Sequence, residues 1–449
     1  MHENQSRATT PDEIAAIDPV SMLVPATLTD PVACDDRISA VDVLRGVALL
    51  GILLINITSF GLPCNGKGNL LDASPGDVNT VVWFVTTVLF KGKMRALFSM
   101  LFGASVILLT ERFERRGDGA NAADIYYRRT LWLLAIGLLH GLFLWEGDIL
   151  SMYGLAGLFL YPFRKLRGRL LVVIGALVLF LTVPAAVFDA RRTEELRAAA
   201  IEAKVEEESG AELSREQHDD LYAWQDAVDT AHPDAEAVEE DLAAHRGGYW
   251  GLFAWRNGDI EEFTSTDLFD AIGMMLIGMG LLKLGVITAG RSIRFYAALA
   301  IGGFAIGLPL QAFTTWWVYH RNFNPIDLAW VQTAYDPGRL AIALAYVGLT
   351  MLIVRAGILP RLTASLAAVG RTALTNYLAT TLICTTLFNG YGLGLFGSFE
   401  RYQLYFVVLG VWAAQLAISP IWLRYFLYGP AEWGWRSLTY WKLQSLRRT

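Results

Sequence analysis

The chain of 449 residues alternates between apolar segments of membrane-spanning length and short clusters of charge. A transmembrane α-helix requires about 20 consecutive, mainly apolar residues. Only 18% of the residues are charged, whereas about 25% are charged in a typical soluble domain. Tryptophans and tyrosines concentrate near the ends of the apolar segments, where interfacial aromatic residues lie in membrane proteins. These features predict an all-α, polytopic integral membrane protein in a lipid bilayer.

Ten apolar segments qualify as transmembrane helices. They are 40–60, 94–110, 130–146, 148–163, 170–188, 267–286, 295–318, 339–357, 372–389 and 403–424. Segment 78–93 has too few apolar residues to span by itself and leads directly into Lys91, Lys93 and Arg95. We therefore expect a long helix that is tilted or broken at this charged elbow.

The distribution of basic residues predicts the orientation of these segments. Arginine and lysine cluster at 112–129, 164–169, 283–294 and 355–371 and at the C-terminus. Because cytoplasmic loops carry an excess of basic residues, and because these clusters fall on alternate loops, all of them lie on one side. The prediction is an even number of spans close to ten, with both termini in the cytoplasm.

The charge pattern divides the chain into five regions. They are a disordered cytoplasmic tail (1–36), an N-terminal bundle with spans one to five (37–188), an acidic extracytoplasmic insertion (189–264), a C-terminal bundle with spans six to ten (265–428) and an amphipathic cytoplasmic tail (429–449). We expect the insertion to form one or two solvated helices, since acidic runs usually face water. The net charge of −6 comes mostly from this insertion and gives no indication of a nucleic-acid partner.

Three scattered cysteines, Cys34, Cys64 and Cys384, include no C-x-x-C pair. This spacing predicts neither a metal site nor a disulfide framework.

One apolar segment, LLHGLFLWEGDIL (138–150), contains a histidine. His140 lies eleven residues beyond Arg129, so it is about 16 Å into the bilayer and close to its middle. Asn56 reaches the same depth in the first span. An ionisable residue at this depth is a functional-site hypothesis by default. On a straight helix Asp148 would lie about 12 Å from His140, so contact between them requires the chain to turn back at Gly147.

Polar side chains from three segments are predicted to converge near His140 on the outer half of the bundle. They are Asn56, the elbow residues Lys91, Lys93 and Arg95, and the turn residues Glu146 and Asp148. Structural roles remain open for each: the basic residues can reach toward headgroups, Asp148 can cap the next helix, and His140 can bridge two helices.

Two further groups have roles at the ends of spans. Asp42 and Arg45 stand at i and i+3, a spacing that suits a helical ion pair, although arginine also suits an anion contact. Arg371, Asn376 and Tyr377 open the ninth span, which continues with several threonines. Such a polar stripe in a membrane helix usually holds helices together through hydrogen bonds.

Four stretches together resemble the YeiB-like bacterial membrane proteins, catalogued as domain of unknown function 418. They are DVLRGVALLGILLINI (42–57), FKGKMRALFSMLFG (90–103), the run RR…H…GDIL…Y (128–153) and the pair GRTALTNYLATTLI and GPAEWGWRSLTYWK. The resemblance covers the N-terminal and C-terminal thirds and implies a location in the bacterial cytoplasmic membrane.

The N-terminal part is also similar to a wider group of membrane acyltransferases, which includes the lysosomal heparan-glucosaminide N-acetyltransferase and the acyltransferase-3 enzymes. That similarity implies about ten helices around a site that acyl-CoA reaches from the cytoplasm, with the acceptor on the far side. A histidine is the central catalytic group in these enzymes, and here it corresponds to His140. No tightly bound cofactor is expected, and acyl-CoA would be a co-substrate.

Two functions fit these residues. In a transmembrane acyltransferase, His140 would deprotonate the acceptor, Asp148 would orient it, and Lys91, Lys93 or Arg95 would bind the oxyanion or an anionic acceptor. Arg45 would then contact the CoA phosphates. In a transporter or permease, the same buried cluster would bind the substrate or relay protons. A structural membrane component is the third possibility.

Overall fold

The computed structural model describes residues 39–66, 70, 76–115, 117, 119, 121–258 and 265–448. The expected disordered tail (1–36) lies outside these residues. The described part folds into seventeen α-helices and no β-strand, which confirms the all-α class. The helices are α1 (Ser39–Gly61), α2 (Val78–Leu89), α3 (Lys93–Arg115), α4 (Ala122–Phe143), α5 (Leu150–Leu158), α6 (Gly168–Phe180), α7 (Thr182–Glu208), α8 (Arg215–Ala231), α9 (Ala235–Arg246), α10 (Tyr249–Gly258), α11 (Ser265–Lys283), α12 (Ile293–His320), α13 (Pro325–Ala356), α14 (Pro360–Arg371), α15 (Ala373–Phe388), α16 (Arg401–Tyr425) and α17 (Pro430–Tyr440).

Six helical stretches of the described chain are long and apolar enough to cross a membrane. They are Ser39–Gly61, Val78–Arg115, Gly168–Glu208, Ile293–His320, Pro325–Ala356 and Arg401–Tyr425. A chain with several such stretches is a multi-pass membrane protein. Large side chains such as Ile301 and Phe406 are about 70% exposed on their outer faces, as surfaces in contact with lipid require.

The predicted fourth span, 148–163, differs most from the structure. Its α-helical part, α5, has nine residues, or about 14 Å, and a short 3-10 helix, Tyr161–Lys165, follows it. Pro162 has no backbone N–H to donate, which favours an end to the α-helix before this point. α5 is instead held against α4, its main neighbour.

The charged elbow is a true break between helices. α2 ends at Leu89 and α3 begins at Lys93, and Gly92 between them has a φ angle of +75°. A residue without a Cβ adopts this conformation without the strain that other residues incur. Of the two alternatives expected from the sequence, a tilted or a broken helix, the structure has the broken one.

The acidic insertion is more ordered than expected. It comprises the second half of α7 and helices α8, α9 and α10, rather than one or two helices. Ser214 and Gln217 form a capping box at the start of α8, and Asp234 caps α9 through the backbone amide of Ala237. These caps satisfy amides that a helix start leaves unpaired and divide the insertion into separate helices.

The central core joins α1, α3, α11 and α13, and a smaller apolar cluster joins the end of α1 to Trp145, α15 and α16. The amphipathic C-terminal helix α17 packs on α4, where the Trp435 Nε1 donates to the carbonyl of Arg129 at 2.9 Å. Glu432 of α17 accepts hydrogen bonds from the amides of Leu374 and Thr375. Burial raises the pKa of the Glu432 carboxyl, and these hydrogen bonds act in the opposite direction.

Candidate functional site

His140 lies in a line of three hydrogen-bonded side chains. Its Nδ1 is 2.8 Å from Oδ1 of Asp148, and its Nε2 is 3.0 Å from Oγ1 of Thr381. All three are buried, with 2%, 7% and 1% of their surface exposed. Because an ionised carboxylate can only accept, this pairing favours the tautomer in which Nδ1 carries the proton and Nε2 accepts from the hydroxyl of Thr381, which also lies 3.4 Å from the carbonyl oxygen of Tyr377. In this tautomer Nε2 has a lone pair that can accept a proton from any group that takes the place of the Thr381 hydroxyl.

The chain turns back between α4 and α5, which allows the contact between His140 and Asp148. α4 ends at Phe143, and the amides of Leu144 and Trp145 both donate to the carbonyl of His140. The turn at Gly147 that the sequence required is therefore present. Asp148 also serves as a cap, because its Oδ2 accepts from the amide and the hydroxyl of Ser151, both at 2.8 Å. The two roles proposed for Asp148 coexist on its two oxygens.

Close packing of α4 on α5 sets the distance between the two residues. A Cβ atom at Gly137 would lie 2.1 Å from the amide nitrogen of Ser151, so only glycine allows this approach. The hydroxyl of Tyr377 accepts from the amide of Ile149 at 3.3 Å. The Tyr377 ring lies 5.2 Å from the imidazole of His140. α4, α5 and α15 thus position the histidine together.

A small cavity of about 20 Å³ adjoins Thr381, and this volume accommodates about one water molecule. Its wall consists of Leu49, Ile52, Leu53, Asn56, Phe60, Trp145, Tyr377, Thr380 and Thr381. Only 5% of the surface of Trp145 is exposed. Its indole Nε1 has no hydrogen-bond partner among the described residues. A buried donor without a partner costs about 1–3 kcal/mol, which is typical of a place where a ligand or water supplies the acceptor. Asn56, predicted to reach this depth, does reach the site.

Helix α10 of the acidic insertion contacts the turn that follows α4. The Arg256 guanidinium donates to the carbonyl of Leu144 at 2.7 Å and lies 3.5 Å from Glu146. Tyr249 donates through its hydroxyl to the carbonyl of Phe143 at 2.8 Å. Glu146 therefore binds the insertion and not His140. Part of the insertion that was expected to be simply solvated therefore packs on the turn between α4 and α5.

Two of the three elbow residues, Lys93 and Arg95, belong to a second cluster of polar and charged side chains, the ionic cluster. Lys93 is fully buried and donates to Oε1 of Gln311 at 2.6 Å and to the carbonyl of Thr87 at 2.9 Å. Arg95 lies 3.3 Å from Asp270 and 3.6 Å from Asp267. Lys91 is exposed. Among the described residues, the side chains of Lys93 and Arg95 contact α2, α11 and α12, and neither forms a hydrogen bond with His140.

Arg339 links the carboxylates of this ionic cluster. Its guanidinium contacts both oxygens of Asp270 and lies 2.7 Å from Asp336. Asp336 also accepts from the hydroxyl of Thr182 at 2.7 Å. Opposite charges at such distances compensate part of the cost of burial. The hydroxyl of Tyr153 donates to the carbonyl of Arg95 and accepts from Ser99, so α5 contacts both clusters.

Other predicted residues have structural partners. Arg45 donates to Asp42 at 2.9 Å, as the i, i+3 spacing predicted, and to Ser105 at 3.1 Å. Asn376 donates to Ser419 at 3.0 Å, and Gln415 donates to the Asn376 carbonyl. These bonds join α15 to α16. Arg371 is half-buried at the end of α14.

Sequence reasoning missed two kinds of site residue. Asp270 and Arg339 carry charge inside predicted spans, a signal that was present but not used. Thr381 was assigned to interhelical hydrogen bonding, and nothing in its spacing indicates that it reaches His140. Nothing in the sequence indicated that Ser151 and Trp145 belong to the site, other than their closeness to Asp148 along the chain.

Comparison with known proteins gives the family. A protein named YeiB from Escherichia coli strain K12 is 34% identical over 436 residues, covering 90% of this chain and 96% of YeiB. The chain belongs to the YeiB-like DUF418 family. YxaH from Bacillus subtilis strain 168 is 28% identical, covering 93% of this chain and 98% of YxaH. The family model described as "Protein of unknown function (DUF418)" matches residues 281–442. No solved structure matches the chain.

Family membership fits the four stretches quoted above, of which His140 and Asp148 occupy the third. The family model covers α12 to α17, including Tyr377 and Thr381, the residues of α15 that contact His140. The site is therefore assembled from both the N-terminal stretch and the matched C-terminal region.

Proposed function

We propose that the protein is a membrane-embedded acyltransferase in which His140 is the general base. The observation that carries the proposal is the buried line Asp148–His140–Thr381, with distances of 2.8 and 3.0 Å. A carboxylate on Nδ1 holds the imidazole in the tautomer whose Nε2 accepts a proton. The hydroxyl of Thr381 marks the place that the acceptor hydroxyl or amine takes during the reaction.

The proposed step is attack by the acceptor on the carbonyl of an acyl-CoA thioester. The acceptor's proton passes to Nε2 of His140 as its oxygen or nitrogen forms the new bond to the acyl carbon. The C–S bond breaks, and the departing thiolate takes the proton from His140. Asp148 stabilises the transient imidazolium. The unpartnered Nε1 of Trp145 supplies a donor for the developing oxyanion.

The substrates would reach the site from opposite sides. We assign contact with the CoA phosphates to Arg45, whose planar guanidinium suits phosphate oxygens. For the acceptor to reach Nε2, the Thr381 side chain must rotate away and the cavity must widen from the present 20 Å³.

The topology proposed with this function has about ten spans, both termini in the cytoplasm and the acidic insertion outside the bacterial cytoplasmic membrane. Single cysteines at Glu207 and Lys442, in a variant with its native cysteines replaced by serine, test it. A membrane-impermeant maleimide applied to intact cells should label the cysteine at 207 and not the one at 442. Labelling at 442 alone would invert the assignment.

Purified protein in proteoliposomes tests the reaction directly. Radiolabelled acetyl-CoA would be supplied on the Arg45 side together with a panel of alcohol and amine acceptors, and CoA release and label transfer would be measured. Wild type should release CoA, His140→Gln should not, and His320→Gln, an exposed histidine on α12, should match wild type. Absence of release and transfer in wild type over the whole panel would rule out the enzyme.

The ionic cluster around Asp270 favours a second candidate, a transporter or permease. Asp270 lies against Arg95 and Arg339 within predicted spans, and ionisable residues inside membrane spans commonly mark proton relays and substrate pathways. In that case proteoliposomes would show proton-coupled uptake that Asp270→Asn abolishes, without any release of CoA.

A further inference from the structure

A second cavity of about 590 Å³ lies outside the apolar segments, between α7, α8 and the turn that joins α12 to α13. This volume is within the range of small-molecule sites. On α7 its wall includes Arg197, Ile201 and Lys204, which follow one another at i, i+4 and i+7 and therefore share one helix face. α8 contributes Trp224, and the turn contributes Arg321.

The charge of the wall is opposite to that of the surrounding insertion. Although the insertion is rich in Glu and Asp, every charged residue in the cavity wall is basic: Arg197, Lys204 and Arg321. Among the described residues, Arg321 pairs with Asp327, whereas no salt bridge involves Arg197 or Lys204. Two unpaired cations facing one cavity attract an anion, and a phosphate group accepts from arginine and lysine most effectively.

The remaining wall of the cavity has an apolar part beside the polar residues Gln225, His232, Asn322 and Asn324. Ile201, Leu221, Trp224 and Val228 line it, and Ile201 is 52% exposed. The cavity adjoins the end of α12, where Trp316 and Trp317 are 46% and 38% exposed. Aromatic residues at the end of a membrane helix mark the level of the lipid headgroups. The cavity therefore combines an anion site with an apolar surface beside the headgroup layer.

We propose that this cavity binds an amphiphile whose head carries a phosphate and a net negative charge. Arg197, Lys204 and Arg321 contact the phosphate. Trp224 and its apolar neighbours on α8 contact the apolar part of the amphiphile. The head can belong to an anionic phospholipid or to a soluble organic phosphate. The site does not depend on acyl transfer at His140, and it stands if that proposal fails.

The test uses full-length protein and a photoreactive phosphatidylglycerol, with crosslinks mapped to peptides of α7 and α8. Arg197→Gln/Lys204→Gln should lower the crosslinking yield at sub-saturating probe by about tenfold, as expected for lost charge-assisted hydrogen bonds. The matched control is Arg191→Gln/Arg192→Gln, which removes two exposed charges of the same helix and should leave the yield unchanged. Val228→Trp, which fills the cavity and retains its charges, should also lower the yield.

Competition distinguishes the two sources of phosphate. Displacement by unlabelled phosphatidylglycerol alone assigns the site to a lipid headgroup, and displacement by glycerol phosphate as well assigns it to a soluble phosphate. Equal competition by phosphatidylcholine and phosphatidylglycerol, or equal yields from the two double variants, would overturn the proposal.

Discussion

Oδ1 of Asp148 lies 2.8 Å from Nδ1 of His140, although eight residues separate them along the chain. A continuous helix would place them about 12 Å apart. The contact exists because α4 ends at Phe143 and α5 packs back against it. Ser151 fixes the other carboxylate oxygen with two hydrogen bonds. The pair is thus a product of the turn between these helices.

Asp148→Asn should lower the proposed CoA release by about 10²–10⁴-fold, because an amide neither stabilises the imidazolium nor fixes the tautomer. Steady-state release of CoA in proteoliposomes measures this. Ser151→Ala retains the carboxylate and should cause a smaller loss. Asp124→Asn, an exposed carboxylate on α4, should match wild type. Full activity in Asp148→Asn would remove Asp148 from the mechanism.

Gly137→Ala should separate α4 from α5, since the new Cβ would lie 2.1 Å from the amide of Ser151. We expect a loss of about 1–3 kcal/mol in stability, the usual cost of overpacking, together with lower activity. Thermal unfolding in detergent measures the first effect. Gly141→Ala is the control on the same helix, because its Cβ would make an ordinary contact of 3.4 Å with Asp148. Equal unfolding temperatures for the two variants would contradict the packing argument.

Arg339→Met should destabilise the protein by about 3–5 kcal/mol, because it leaves the buried Asp270 without its main partner. Adding Asp270→Leu should recover part of this loss, since an apolar pair needs no compensation. Thermal unfolding of the single and double variants tests the claim. Arg361→Met, at an exposed position of α14, should change stability by no more than about 0.5 kcal/mol. A double variant less stable than Arg339→Met would argue against the pairing.

Gly92→Ala should destabilise the break between α2 and α3 for two reasons. A φ of +75° costs an alanine about 1–2 kcal/mol, and the Cβ would lie 1.9 Å from the hydroxyl of Tyr335. Gly92→Ala/Tyr335→Phe should relieve only the second effect and so recover part of the unfolding temperature. Gly302→Ala in α12 meets no atom within 4 Å and should not destabilise. A Gly92→Ala variant as stable as wild type would refute both arguments.

The sequence determined those features that follow from local spacing and from the cost of burying polar groups in lipid. Apolar segments between charge clusters gave the all-α membrane class, and the i, i+3 spacing gave the ion pair of Asp42 and Arg45. The cost of burying a polar group in lipid also identified His140 as a candidate functional residue. The same argument applies to Asp270 and Arg339, because both lie within predicted spans.

Only the tertiary structure decided which polar residues meet. Thr381 is 241 residues from His140, and Lys93 is 218 residues from Gln311. Helical periodicity fixes the face of a residue within its own helix and leaves the neighbouring helix undetermined. Which helices become neighbours depends on how their side chains pack. Gly137, for example, allows α5 to approach α4. The chain alone therefore identified His140 as the residue that needs a partner, and the packing of α4, α5 and α15 determined that its partners are Asp148 and Thr381.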